Sequence, residues 1–570
     1  MPAGLPASPQ ALEEATWADI LPFYQELVAR PLAGDGRVEA WLSDWSRLDE
    51  LVFEASTLAS IAYTTDTQDP AKEAAHLRFS SQIIPRLREQ QALLSRRLVE
   101  LGYVREGIEM TVKRFRNLAE LYREENVPLL GELSKLGAEY QKVTGGMTVE
   151  WDGEEKTLPQ LLPFLQSPDR AVRERAFRLR ARPYIEQRAR MADIFDRQYP
   201  LRQQVARNAG FENYRDYTHQ EKNRFDYRPA DCERFHAAVE EVFLPALARV
   251  HRRWRDKLGV AELRPWDLDA DPDGRPPVRP FSTASELVST ANSVFAQVSP
   301  EFGDYFGVMA REGLLDLESR KGKAPGAYCA TLPHRKRPFL FLNVVGIDRD
   351  VNTLLHESGH AFHSFEASRL PLVFQRFPGS EMAEVASMSM ELLAAPYLGR
   401  DAGGFFGADD HRRMRLGELE RILAFFPHCA SVDAFQHWIY TSGEGDDRDA
   451  RDAAWLRLRR RFETAEVAWE GLEPEQVARW YQQLHIFLSP FYYIEYGIAQ
   501  LGALQVWRNA LRDQESAVRS YRAALALGGT RPLPELFGAA GARLIFDAAG
   551  MRELVAVVEQ EIELLEAPAG

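Results

Sequence analysis

Apolar positions recur at intervals of three and four along most of the chain. Residues 71–125 read AKEAAHLRFSSQIIPRLREQQALLSRRLVELGYVREGIEMTVKRFRNLAELYREE, with charges between the apolar positions. That pattern predicts helices with a solvated face over a core stripe. The period changes near residues 143–159. Two short β-prone runs, 148–151 and 155–158, flank Asp152-Gly153-Glu154, and an Asp-Gly pair in that setting predicts a small hairpin. Ser167-Pro168-Asp169 predicts a helix start, with Ser as the cap, Pro in the first turn and Asp at the positive end of the dipole. That helix and its successors run to about Asn208.

Residues 263–283, LRPWDLDADPDGRPPVRPFST, form the clearest loop. Asp269, Asp271 and Asp273 imitate the start of a calcium loop, but the twelfth position is Pro280, where a bidentate Glu is needed. Residues 401–410 and 442–452 are further turn-rich stretches without evident chemistry. Residues 338–343, PFLFLN, lie between Arg335-Lys336-Arg337 and Gly346 and give the best strand candidate of the second half. No internal repeat or long low-complexity tract appears. The pattern as a whole is mainly α.

Composition narrows the function. Of 570 residues, 45% are hydrophobic and 27% charged, an ordinary globular balance. Lys and Arg number 70 against 84 Asp and Glu, a formal charge of −14, which argues against a nucleic-acid binder. Cys232, Cys329 and Cys429 lie far apart in sequence, which is neither a disulfide framework nor a clustered thiolate site, and a reducing, cytoplasmic setting fits them best. The start MPAGLPASPQALEEATW has no basic segment followed by an apolar run, so no secretory signal is expected. No apolar run approaches the roughly 18 residues of a membrane span, so no membrane partner is expected.

Chemistry concentrates in one place. Three of the 12 histidines, His356, His360 and His363, fall close together in the segment LLHESGHAFH. Asp350 precedes it as the expected N-cap. At about 100° per residue, His356 and His360 share one helical face and can reach one zinc ion, while Glu357 beside them can take a proton from water on the metal. Gly359 is a poor helix former, which suggests a close approach of another segment. Zinc needs a third protein ligand. A third histidine ten residues after His356 is ruled out, because residue 366 is Glu. The alternative is a glutamate from the run GSEMAEVASMSME at 379–391, a predicted helix capped by Ser380. Glu381, Glu384 and Glu391 are all candidates. Glu384 and Glu391 are seven apart and share a face, so one can bind metal while the other orients a histidine. A late aromatic cluster, HIFLSPFYYIEYG at 485–497, offers imidazole and phenol donors suited to a developing oxyanion.

With these motifs assembled, the chain resembles the thimet oligopeptidase and oligoendopeptidase F family of zinc metallopeptidases, and is most similar to its bacterial oligoendopeptidase F-like branch. The resemblance covers most of the chain. It includes 148–158, GFENYRDY at 210–217, RFDY at 224–227, RPWDL at 264–268, GAYC at 326–329 and FLN at 341–343. Its sharpest parts are HESGH at 356–360, EVAS at 384–387 and PFY at 490–492. The resemblance implies a mainly α, two-lobed molecule with a deep channel and a small β element near the active site. It implies an N-terminal helical region over 1–200, with the hairpin near 148–158, and a catalytic metallopeptidase region over 201–570. It implies one Zn2+ per chain on His356, His360 and Glu384, with Glu357 as general base. His485 matches the family's late histidine, and Tyr496 best matches its principal tyrosine. The spacing departs from the thimet oligopeptidase branch, which leaves Tyr492 and Tyr493 as alternatives for a second tyrosine. The strand within 339–343 resembles the one that pairs with peptide backbone. The implied activity is cleavage of internal bonds in short unfolded oligopeptides. A helical zinc carboxypeptidase shares the same pentad, and a peptide-binding protein that has lost hydrolysis is the reading from a different class.

Overall fold

The computed structural model of the chain describes residues 6–32, 34–320, 322–324 and 326–567. The charged run at 71–125 is helical but divided. A helix at Pro70–Leu77 passes into a π-helical turn at Arg78–Ile83, then into helices Ile84–Glu100 and Glu109–Leu121. Pro85 explains the π turn, because it has no N–H to give the carbonyl four residues back and its ring crowds that carbonyl. Further on, Gly102 and Gly107 adopt positive φ and let the chain turn between the last two helices. These helices cover the 31-residue helix Asp35–Thr65, whose Trp41 and Trp45 are fully buried. Trp45 stacks on Phe115 with ring centroids 4.7 Å apart.

The hairpin forms as expected. Strand β1 (Thr148–Trp151) pairs antiparallel with β2 (Glu154–Thr157), and Trp151 faces Glu154. Asp152 and Gly153 both have positive φ, which makes the tight turn. The helix start after it differs from expectation. Asp169, not Ser167, is the N-cap: its carboxylate accepts from the Ala171 N–H, while the Ser167 hydroxyl accepts from the Asp169 N–H. The helical stretch then runs as two helices, Arg170–Glu186 and Arg188–Asn208. The Asp-rich loop is anchored by ion pairs. Asp267 is fully buried and binds Arg173 at 2.8 Å, and Asp271 meets Arg275 and Arg413.

A three-stranded sheet has the order β3 (Leu315–Glu318), β5 (Arg337–Val344), β4 (Tyr328–Leu332). Strand β5 pairs parallel with β3 and antiparallel with β4. The expected strand at 338–343 therefore exists, but its expected role in pairing with peptide is excluded, because both its edges are taken. Among the described residues the edge of β4 away from β5 pairs with no other strand.

The largest core joins this sheet to three helices, Asp348–Ala367, Ser380–Ala394 and Tyr493–Ala510. The first two cross at Gly359. A Cβ there would lie 2.6 Å from the Ala386 carbonyl oxygen and 2.6 Å from Ser387 Cα, so only glycine allows the crossing. The Tyr521 hydroxyl donates to that same Ala386 carbonyl at 2.7 Å and pins the glutamate helix from behind.

Candidate active site

The helix Asp348–Ala367 carries the pentad mid-length, where backbone geometry is most regular. Its N-cap is Ile347, not Asp350. Asp350 sits one turn in, and its Oδ2 accepts from the N–H groups of Val345, Gly346 and Ile347 at 2.7, 2.7 and 3.0 Å. It thus ties the end of β5 to the helix. The helix Ser380–Ala394 likewise starts one residue earlier than expected, with Gly379 as N-cap and Ser380 inside.

The structure brings His356, His360 and Glu384 together. One donor atom from each lies within 4.8 Å of the others. His356 Nε2 and His360 Nε2 stand 3.5 and 3.7 Å from Glu384 Oε2. Donors at zinc distances from a tetrahedral centre stand about 3.3 Å apart, so the set fits that ion. The surroundings orient each donor. His356 Nδ1 donates to Glu391 Oε1 at 2.7 Å, and His360 hydrogen-bonds the Ala383 carbonyl. Glu384 accepts from the Tyr492 hydroxyl at 2.9 Å and from Ser387 Oγ at 3.1 Å. The three glutamates are thereby told apart by geometry. Glu384 faces both imidazoles and Glu391 backs one of them. Glu381 turns away and accepts from the Tyr227 hydroxyl at 2.7 Å.

Electrostatics suit a cation. Burial pushes the Glu384 carboxyl up, but the His356 hydrogen bond and the two imidazoles outweigh it and hold the group down to about 2. Burial raises Glu357 to about 7, against the opposing effects of His356 and of the Cys329 N–H, which it accepts. That bond sets Glu357 beside strand β4. Three carboxylates around two imidazoles leave excess negative charge that a divalent ion neutralises. His363 is not part of the donor set. It is 5% exposed, its Nε2 has no hydrogen-bond partner among the described residues, and burial pushes it down to about 3.

The late aromatic cluster stands next to these donors. The segment 485–496 comprises a five-residue helix, Leu484–Leu488, a turn, and the first turn of Tyr493–Ala510. Phe491 in the turn has φ +61°, and the left-handed conformation is costly for an aromatic residue. Its N–H donates to Gln436 Oε1 at 2.7 Å and its carbonyl accepts from Arg224. The His485 ring centroid lies 5.7 Å from Tyr492, 5.1 Å from Tyr493 and 5.8 Å from Tyr496. Burial pushes His485 down to about 4 and all three phenols up, so each is neutral and able to donate. Tyr492 is the tyrosine that bonds Glu384; Tyr496 packs 5.0 Å from it, ring to ring. A cavity of about 290 Å³ opens here, lined by Cys329, Thr331, His360, His363, Glu384 and Tyr492.

Two contributors escaped the sequence reading. The Cys329 N–H belongs to β4, whose five residues show no alternation of apolar and polar positions. Arg202, 3% exposed, donates to the Ile486 and Phe487 carbonyls at 2.9 and 2.6 Å and fixes the His485 segment from 283 residues or more away in sequence. Nothing local marks it.

The convergent imidazole and carboxylate donors form a site suited to a divalent metal ion. The model of peptidase family M3 matches residues 164–556, and the chain belongs to that family. It is similar to an oligoendopeptidase F homolog of Borreliella burgdorferi, 24% identical over 41% of this chain and 40% of the relative. It is also similar to oligopeptidase PepF of Bacillus subtilis, 24% identical over 43% of this chain and 36% of the relative. The matched stretches thus span well under two thirds of these curated relatives. A solved structure of PZ peptidase A with an inhibitor superposes with TM-score 0.87 at 26% identity, covering 99% of each chain. Among the described residues no helix is long and apolar enough to cross a membrane.

Proposed function

We propose that the chain is a zinc-dependent endopeptidase that hydrolyses internal bonds of short unfolded oligopeptides. The observation that carries this reading is the convergence of His356, His360 and Glu384 within 4.8 Å, with Glu357 beside them and a histidine–tyrosine cluster against them. His356, His360 and Glu384 would hold one zinc ion per chain, which when bound would supply a Lewis acid for the peptide carbonyl and for water. Glu357 accepts the water proton and passes it to the leaving amine. His485 and Tyr496 donate hydrogen bonds to the oxyanion as charge develops, and Tyr492 steadies Glu384. The free edge of β4 takes the substrate backbone as an added strand, in place of the enclosed β5. Three unpaired cysteines suit a reducing cytoplasm.

The test is cleavage of an internally quenched peptide blocked at both ends. The wild-type protein should cut it, and Glu357→Gln should lose roughly 10²–10⁴ in turnover at unchanged metal content. Near-native turnover by that variant removes Glu357 as the base. An intact blocked peptide beside one that is cleaved once its C-terminus alone is freed makes the enzyme a carboxypeptidase.

A further inference from the structure

A second group of metal-ligating side chains is buried behind the tyrosine helix. The helices Pro229–Leu258 and Ala408–Thr441 pack against each other. Each presents two polar side chains one turn apart, Cys232 and His236 from the first and Asp433 and His437 from the second. Asp433 is fully buried and His437 is 8% exposed. One donor atom each from Cys232, Asp433 and His437 lies within 4.8 Å of the others. His236 Nε2 stands 2.8 Å from Asp433 Oδ2, and His437 Nε2 stands 3.3 Å from the same oxygen. The other oxygen, Oδ1, has no hydrogen-bond partner among the described residues. A fully buried carboxylate oxygen without a donor calls for an explanation.

We propose that Cys232, Asp433 and His437 bind a second divalent transition-metal ion, zinc by donor class, in a structural site separate from the His356–His360–Glu384 centre. Sulfur, nitrogen and oxygen donors together select a borderline-soft cation over calcium or magnesium. The Cys232 thiolate and the Asp433 carboxylate cancel the ion's two charges, and the thiol proton passes to solvent on binding. His236 donates to Oδ2 and orients the carboxylate, which leaves Oδ1 for the ion. Glu233 Oε1 lies 3.7 Å from His437 Nδ1, beyond hydrogen-bond reach, and that nitrogen has no hydrogen-bond partner among the described residues. The Glu233 side chain is 58% exposed, so this edge is the way in from solvent. The site also has a structural task. Gln436, next to His437, holds the Phe491 N–H, and the His437 ring packs 5.8 Å from that of Phe491. At Gly497 a Cβ would lie 2.7 Å from Phe235 and 2.9 Å from Cys429 Sγ, so the tyrosine helix rests directly on this helix pair. A metal clip across the pair braces the turn that carries Tyr492 and Tyr493.

The test is anaerobic titration of the full chain with Co2+ after chelation. Two equivalents should bind, and one should bring an intense near-ultraviolet sulfur-to-cobalt charge-transfer band, which the His356–His360–Glu384 donors contain no sulfur to produce. Cys232→Ser should lose that band and one equivalent; Cys329→Ser should keep both. His356→Ala should lose the other equivalent and keep the band. A single equivalent without the band in the wild-type protein overturns the proposal, and this arm needs no variant to fold. A band that survives Cys232→Ser, or that vanishes in Cys329→Ser, overturns it equally. Loss of peptidase activity alone bears on neither outcome, so this site stands or falls apart from the proposed function.

Discussion

The donor set and the aromatic cluster beside it are built in opposite ways. His356, His360 and Glu384 stand mid-helix on two regular helices pressed together at Gly359. Their relative placement follows from helical spacing and one close crossing. His485, Tyr492 and Tyr496 stand on a five-residue helix, a left-handed turn and a helix start. Their placement is imposed from outside by Arg202 and Gln436, each reaching in from another helix, and by Arg224 from the loop after Glu221. The lesson is that a centre that holds charge is made rigid by regular structure, whereas the donors that meet a developing charge are set by remote contacts. Changes to the donor set should therefore remove function outright, and changes to the cluster should grade it.

The largest effect is expected for Glu384→Gln. It removes an anionic ligand and leaves two imidazoles that bind zinc weakly. Activity should fall to background at ordinary zinc concentrations, and metal analysis should show one equivalent lost from this centre. Retained zinc and activity break the assignment of the third ligand. Next is His485→Ala, expected to cost roughly 10²–10³ in kcat with KM and metal content little changed, as for loss of one oxyanion donor. A rise in KM with kcat intact makes His485 a substrate-binding group instead. Tyr496→Phe and Tyr492→Phe then separate the two phenols. Tyr496→Phe should lower kcat alone. Tyr492→Phe removes the 2.9 Å bond to Glu384 and should weaken metal affinity as well. If the two variants behave alike, the division of labour between these tyrosines is wrong.

The same contrast explains what the sequence discloses. The pentad is legible because its spacing is the geometry: four residues along a helix put two imidazoles on one face, and the glycine between them marks the crossing. The choice among Glu381, Glu384 and Glu391 is not legible in their spacing, since all three lie on one helix and only the partner helix decides which faces the imidazoles; the family resemblance alone singles out Glu384. The hairpin is legible from Asp152-Gly153, a purely local signal. Helix starts are misread by one to three residues at Ser167, Asp350 and Ser380, where several capping residues compete within one turn. Strand β5 is found as an element, but its place in the centre of the sheet depends on β3 and β4, which have weak patterns of their own. The Arg202 and Gln436 supports leave no trace in the motifs they hold.

Glu391→Gln should give the smallest of these effects and sharpens the contrast most. Glu391 touches no metal in the proposed centre; it accepts the proton of His356 Nδ1 at 2.7 Å. Gln keeps the size and an acceptor oxygen but loses the negative charge that makes the imidazole a better ligand. Zinc affinity should fall by about 10–100-fold, the usual cost of altering a group behind a ligating histidine. At saturating zinc, kcat should stay close to native, because neither the base nor the oxyanion donors have changed. Competition against a chromogenic chelator measures the first quantity, and steady-state kinetics across a zinc series measures the second. A loss of kcat that excess zinc does not restore means that Glu391 acts on the reaction itself, and the separation between a charge-holding centre and a charge-meeting cluster fails at that residue.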